Sequence, residues 1–244
     1  MRFIINLILL LIIGLSAWRG YKKGMLVGIC GILALVISIY GANLVATAYT
    51  DDYTSILDPF VSGYVETATG IVTDESTEEE EEGNALTKAY VQLSDGEKED
   101  VRSVTFAVMR QCGVATDAAN KIADEFAMEH TEVNYDLTNH MGTYLTERIT
   151  FILLFAVVFI IIYIVFVVIE NVLNLTLSIP TNAGMIADKS CGVVLGLIRA
   201  IILLSVVGCV LRYLGMFIGV ERVDHTWLLN KFVNSEFIAG RLGV

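Results

Sequence analysis

The sequence predicts an all-α, polytopic membrane protein: four transmembrane helices, a helical acidic extracytoplasmic insertion between helices 2 and 3, and a C-terminal amphipathic helix. Three observations carry this. Of the 244 residues, 55% are hydrophobic and the mean hydropathy is +0.66, outside the range of an ordinary soluble domain. The apolar residues gather into runs from Phe3 to Trp18, Met25 to Tyr49, Ile149 to Ile169 and Cys191 to Ile218. A spanning helix takes roughly 20 apolar residues, so the last three runs are long enough and the first is marginal. Charge is equally uneven. The net charge is -11, yet residues 49–148 hold 22 acidic and 6 basic residues while the rest of the chain holds 5 acidic and 10 basic. Finally, Trp18-Arg19-Gly20-Tyr21-Lys22-Lys23-Gly24 sets three cations between the first two runs. Such a stretch stays on the inner side and fixes the orientation of the helices after it.

Residues 1–48 form transmembrane helices 1 and 2 around a basic cytoplasmic hinge at 18–24. The first run follows Arg2 as a signal peptide core would. Its positive cluster comes after the apolar run, however, and no small-x-small cleavage site closes it, so a retained helix with its N-terminus outside is expected. Arg19, Lys22 and Lys23 are the topology determinants. Gly20, Gly24 and Gly28 recur every four residues and share one helix face, a spacing that Ala34 and Ser38 repeat. In lipid, where packing drives association, such a face lets two backbones approach closely.

Residues 49–148 are then an acidic, partly helical insertion on the outside. Asp74 to Glu82 lies within a linker, 73–84, expected to be disordered because a block of like charge without apolar periodicity cannot bury a core. Flexible, self-repelling acids also lack the preorganisation of a calcium cage, and the acidity argues against nucleic acid or anionic lipid as partners of this segment. Helical order returns with a capping-box spacing at Ser94 and Glu97, then Val101, Val104, Val108 and Cys112 at helical intervals, and Gly113 as a stop. A second helix is expected from Thr116 to Glu129, with Ala119, Ile122 and Phe126 on one stripe. A third starts near Asn134 and continues through Leu137, Met141 and Leu145 into the membrane. Cys112 is either a small buried residue or a partner for an interchain disulfide; Cys30, Cys191 and Cys209 fall in apolar runs and form no ligand pattern.

Residues 149–218 carry transmembrane helices 3 and 4. The third ends at Glu170-Asn171, and a short inner loop comes next with Pro180, Asn182 and Gly184. The fourth opens with Gly192, Gly196 and Ala200, spaced by four, and Gly208 falls on the same face. This second ladder either faces the first or forms a self-association surface. Arg199 sits inside the apolar run, where an arginine costs about 2.5 to 3.5 kcal/mol at the helix centre. Three readings stand: an intramembrane pair with Glu170, snorkelling to the inner interface, or a role in transport or gating. Arg212 reads as an anchor at the outer end. Residues 219–244 form an interfacial tail in which Asp224 caps a helix with Leu228, Phe232, Ala239 and Leu242 on its apolar stripe.

No enzyme is expected, and neither a metal nor a cofactor. His130, His140 and His225 are the only histidines, and HExxH, G-x-S-x-G and Walker spacings are all missing. Gly20-Tyr21-Lys22-Lys23-Gly24 after a short first helix, with Asp188-Lys189 then Gly192, Gly196 and Arg199 opening the last, resembles the colicin V production (CvpA-type) family. The resemblance covers residues 3–49 and 149–218; the long acidic insertion and the amphipathic tail depart from it. It implies an integral membrane accessory or interaction protein of the bacterial cytoplasmic (inner) membrane, associated with bacteriocin (colicin V type) production or export and envelope maintenance. Its partners would be the lipid bilayer and either a homo-oligomer or another envelope protein, with no nucleic acid. The alternative is a small-solute or ion channel or transporter subunit that uses Arg199 and Glu170.

Overall fold

The structure, a computed structural model, describes residues 2–73, 101–129, 135–176, 185–214 and 227–233. The acidic linker, the Ser94/Glu97 box, His130, the loop around Pro180, Asp224, His225 and the tail beyond 233 lie outside them. Every element among the described residues is a helix: α1 (Arg2–Thr73), α2 (Val101–Gln111), α3 (Thr116–Glu129), α4 (Tyr135–Thr176), α5 (Met185–Leu211) and α6 (Trp227–Val233). Among the described residues, three segments are long and apolar enough to cross a membrane, Leu9–Gly70, Asp136–Val172 and Asp188–Leu211.

Two of the expected apolar runs therefore belong to one helix, α1, broken only at Gly24, where φ is 76° and ψ is -178°. That backbone region is essentially reserved for glycine. The neighbours of α1 on α5 show what the break does. A side chain at Gly20 would run into the Gly192 carbonyl and one at Gly196 would meet Ser16 and Ala17, so α1 numbering falls as α5 numbering rises. Past the break, Gly24 faces Asp188, Gly28 faces Leu195 and Gly31 faces Arg199, so both rise together. The two limbs of α1 thus lie along α5 in opposite directions, and the chain doubles back at a single residue. The basic stretch is helical through Lys23; the turn is made at Gly24 alone.

The chain divides into two compact units. The first comprises Met1–Tyr49, Ile152–Val210 and His225–Val244. Its interior combines small residues, Ala34, Ser38, Ala42, Ala46 and Ala200, with larger ones, Leu35, Ile152, Phe155, Phe159 and Leu204. Its large aliphatics face outward, among them Leu26, Leu33, Ile37 and Leu44 of α1 and Ile160, Ile161, Ile164 and Val168 of α4. Large aliphatic groups turned outward, with small residues where helices meet, suit lipid as the solvent, since burial from water supplies no force between helices there. Phe155, Phe159 and Tyr163 stack down α4 with ring centroids 6.0 and 5.7 Å apart. The tail helix α6 packs on α5: a side chain at Gly208 would strike the Phe232 backbone, and Val233 is buried. The tail thus meets protein at Gly208, where the sequence suggested a helix resting on the membrane surface alone.

The second unit comprises Thr50–Phe151 and Leu211–Asp224. Its core is apolar, with Val61, Val65 and Ala68 from α1, Val104, Val108 and Met109 from α2, Ile122 and Phe126 from α3, and Leu137, Met141 and Leu145 from α4. The helical continuation of α1 beyond Tyr49 is explained by that stripe of 61, 65 and 68, which recurs at helical intervals; Pro59 is carried within it. Gly113, at φ 87°, ends α2 in a Schellman motif: Val114 N–H donates to Met109 O and Gly113 N–H to Arg110 O, both at 3.0 Å. Phe126 meets the Tyr144 ring edge-on at 5.7 Å.

Arg212 requires a correction. The sequence puts it at the outer interface as an anchor; the structure buries it to 1% exposure inside the second unit. Its carbonyl accepts a hydrogen bond from Ala115 N–H at 2.8 Å, tying the end of α5 to the start of α3. Residue 212 thus lies within the packed helices of this unit. Cys112 is fully buried, as a small core residue would be.

Candidate functional site

The first unit holds one polar cluster among apolar helices, and three helices supply it. Glu170, near the end of the apolar part of α4, is 8% exposed. Arg199 Nη1 from α5 donates to Glu170 Oε2 at 3.0 Å, and Lys23 Nζ from the first limb of α1 donates to Oε1 at 2.9 Å. Arg199 Nη2 donates to Tyr163 Oη at 3.0 Å, and Lys23 also reaches Asn171 Oδ1 at 3.4 Å. Glu170 is therefore shared between two cations and ties α1, α4 and α5 together. A buried carboxylate is tolerated where its charge is paired and its lone pairs are used.

The glycines explain how charge can be gathered there. Gly20, Gly192 and Gly196 bring the first limb of α1 and α5 to backbone contact, which sets the Lys23 ammonium opposite Glu170. Gly31 leaves room for the Arg199 guanidinium, which a Cβ would crowd. At the break, Met25 N–H lacks a carbonyl of its own helix and donates instead to Asp188 Oδ1 at 2.9 Å. Asp188 thus caps the second limb from α5, and its charge suits a helix N-terminus, as those of Lys22 and Lys23 suit the C-terminus of the first limb. Lys22 lies over the Trp18 ring at 5.5 Å and Lys189 over Tyr21 at 5.4 Å, an aromatic and basic pairing characteristic of a membrane interface.

Beside the cluster lies a cavity of about 340 Å³. Arg19, Lys23, Glu170 and Arg199 form its charged wall, and Gly20, Gly28 and Gly196 let it reach between the helices.

Of the residues singled out in the sequence, the structure brings Lys23, Glu170 and Arg199 into direct contact, packs Gly20, Gly192 and Gly196 together, and sets Gly24 and Gly28 against Asp188 and Leu195. Ala200 is buried. Arg19 is exposed and lines the cavity; Lys22 pairs with Trp18 away from Glu170. Sequence reasoning missed Lys23 as a partner of Glu170, the Asp188 cap, and Tyr163. The signal for Tyr163 was its place seven residues, two helical turns, before Glu170 on one face. No group of three or more metal-binding side chains stands together among the described residues, and His140 is exposed with Nδ1 2.9 Å from Asp136 O.

Long apolar helices with large aliphatic side chains turned outward and a charge cluster held between them define an α-helical membrane protein. The family model described as Colicin V production protein matches residues 113–236, more than half the chain, and the chain belongs to that family. The match takes in 113–148 and 219–236, which the sequence sets apart as departures, and does not reach the stretch at 20–24. Within the matched range the Ala115 to Arg212 hydrogen bond joins the residue before α3 to the residue after α5. No curated protein and no solved structure matches the chain.

Proposed function

We propose that the protein is an accessory or interaction component of the bacterial inner membrane that supports production or export of a colicin V type bacteriocin, and more broadly envelope upkeep. The family match over 113–236 carries this reading. The doubling back at Gly24 favours counting α1 as two crossings, which makes four with α4 and α5. The cluster of Lys23, Glu170 and Arg199 acts as a lock between three helices, a structural task that involves no catalysis. Partners would be a second copy of the chain or another envelope protein. In a toxin-producing strain, deletion should lower secreted toxin while toxin within the cell rises, and Arg199→Gln should reproduce part of that loss. Unchanged secretion after deletion would overturn the reading.

The cavity beside three cations favours a second reading, a subunit that conducts a small solute or ion. Purified protein in liposomes separates the two. Arg199-dependent flux supports conduction, and its absence under conditions where a known channel conducts supports the accessory role.

A further inference from the structure

We propose that the cavity beside Glu170 is a binding site for a phosphate-bearing anion. This goes beyond the accessory reading and rests only on the membrane setting of the first unit.

The cavity wall carries Arg19, Lys23 and Arg199 against Glu170, two more positive charges than negative. Glu170 is already used: Lys23 occupies Oε1 and Arg199 reaches both oxygens, so its charge is spent on fixing the two cations and not on repelling a ligand. Asp188, the one acid of α5, is turned to the Met25 N–H. The lock leaves donors over. Arg199 gives Nη1 to Glu170 and one hydrogen of Nη2 to Tyr163, which leaves its second Nη2 hydrogen. Lys23 keeps a third ammonium hydrogen after Glu170 and Asn171. Arg19 brings its fork of five N–H groups, suited to paired oxygens. The side chains of Lys23 and Arg199 are 25% and 20% exposed, open enough to meet a ligand yet held by Glu170 in one arrangement.

Size and setting point the same way. A volume of about 340 Å³ admits a phosphate with its substituents and far exceeds the ~30 Å³ share of one water. Trp18, Tyr21 and Lys22 come from the same turns of α1 as the lining residues Arg19, Gly20 and Lys23 without lining the cavity themselves, and their aromatic and basic pairing is that of a membrane interface, which argues for headgroup depth. Basic pockets between membrane helices at that depth recognise anionic headgroups. The same donors would accept free phosphate, so the chemistry is common to a phospholipid headgroup and a soluble anion.

The full-length protein in detergent, stripped of lipid, decides between them. Native mass spectrometry would count bound phosphatidylglycerol against diacylglycerol of the same chains, and calorimetry would titrate inorganic phosphate. Arg19→Gln, at an exposed position, should weaken phosphate or phosphatidylglycerol binding about fivefold, whereas Lys189→Gln, outside the cavity wall, should leave it within about twofold. Phosphatidylglycerol retained while diacylglycerol and inorganic phosphate are not assigns the site to a headgroup. Inorganic phosphate that binds and displaces the lipid assigns it to a soluble anion. Binding of neither, binding of diacylglycerol as well as phosphatidylglycerol, or equal loss in the two variants overturns the proposal.

Discussion

Glu170 sits between Lys23 and Arg199, and that asymmetry orders the effects of neutralising each. Glu170→Gln leaves two cations facing each other in a half-buried place and should cost about 3 to 5 kcal/mol. Arg199→Gln keeps the Lys23 pair and should cost less, and Lys23→Gln, the most exposed of the three, least of all. Thermal unfolding in detergent should rank the melting temperatures in that order. Exchanging Glu170 and Arg199 should restore little, because the arginine placed at 170 would face Lys23. Cys112 provides a second test, in the other unit. A free thiol titrates at about 8.5, and burial pushes that of Cys112 up to about 12. Because the folded value is the higher, the neutral thiol's contribution to stability is complete below about 8.5 and is lost as pH climbs from there towards 12. Maleimide at about pH 8 should therefore leave Cys112 unmodified in the folded protein and label it on unfolding; labelling at equal rates in both states would contradict its burial.

At the scale of elements, the crossing of α1 and α5 depends on glycines of different kinds. Gly20 meets the Gly192 backbone, which cannot yield as a side chain can, whereas Gly14 has open space around it. Gly20→Ala should lower the melting temperature, and Gly14→Ala should leave it unchanged or raise it slightly, since alanine is the better helix former. Gly24→Ala suffers twice, from a backbone region worth about 1 to 3 kcal/mol of strain and from crowding of Asp188. These faces were legible in the sequence because small residues at a spacing of four mark one side of a helix. Their neighbours were not. Periodicity names a face without naming what it meets, so Gly20 and Gly28 look alike in sequence although opposite limbs carry them to α5. The same limit hid Lys23: three nearby cations read as a topology signal, and only the path of the chain after Gly24 sets one of them on Glu170. The second unit was easier to read, because α2, Gly113 and α3 obey local rules of periodicity and capping. Arg212 was misread because residues far away in sequence pack around it, among them Ala115, whose N–H donates to its carbonyl from nearly a hundred residues away.

At the scale of the molecule, the first unit has two distinct ends, and these make orientation testable. Gly24, Glu170-Asn171 and Asp188 meet at one end, together with Lys22, Lys23 and Lys189. Gly208 and the tail helix lie about 20 residues, or ~30 Å of helix rise, further along α5, which is the thickness of a bilayer core. We propose, from the cations gathered at the first end, that this end faces the cytoplasm and the tail the outside. Single cysteines introduced in a cysteine-free background can check this without removing any cation of the inner cluster. On intact spheroplasts a membrane-impermeant maleimide should label Lys231→Cys at once and Asn171→Cys only after permeabilisation. A cysteine at residue 80, in the acidic linker, should behave as Lys231→Cys does if α1 crosses twice, because its second limb and α5 run the same way and leave the membrane on one side. Labelling of 171 before permeabilisation would invert the protein. Labelling of 80 and 231 from opposite sides would mean that the second limb of α1 does not cross, and the count would fall below four.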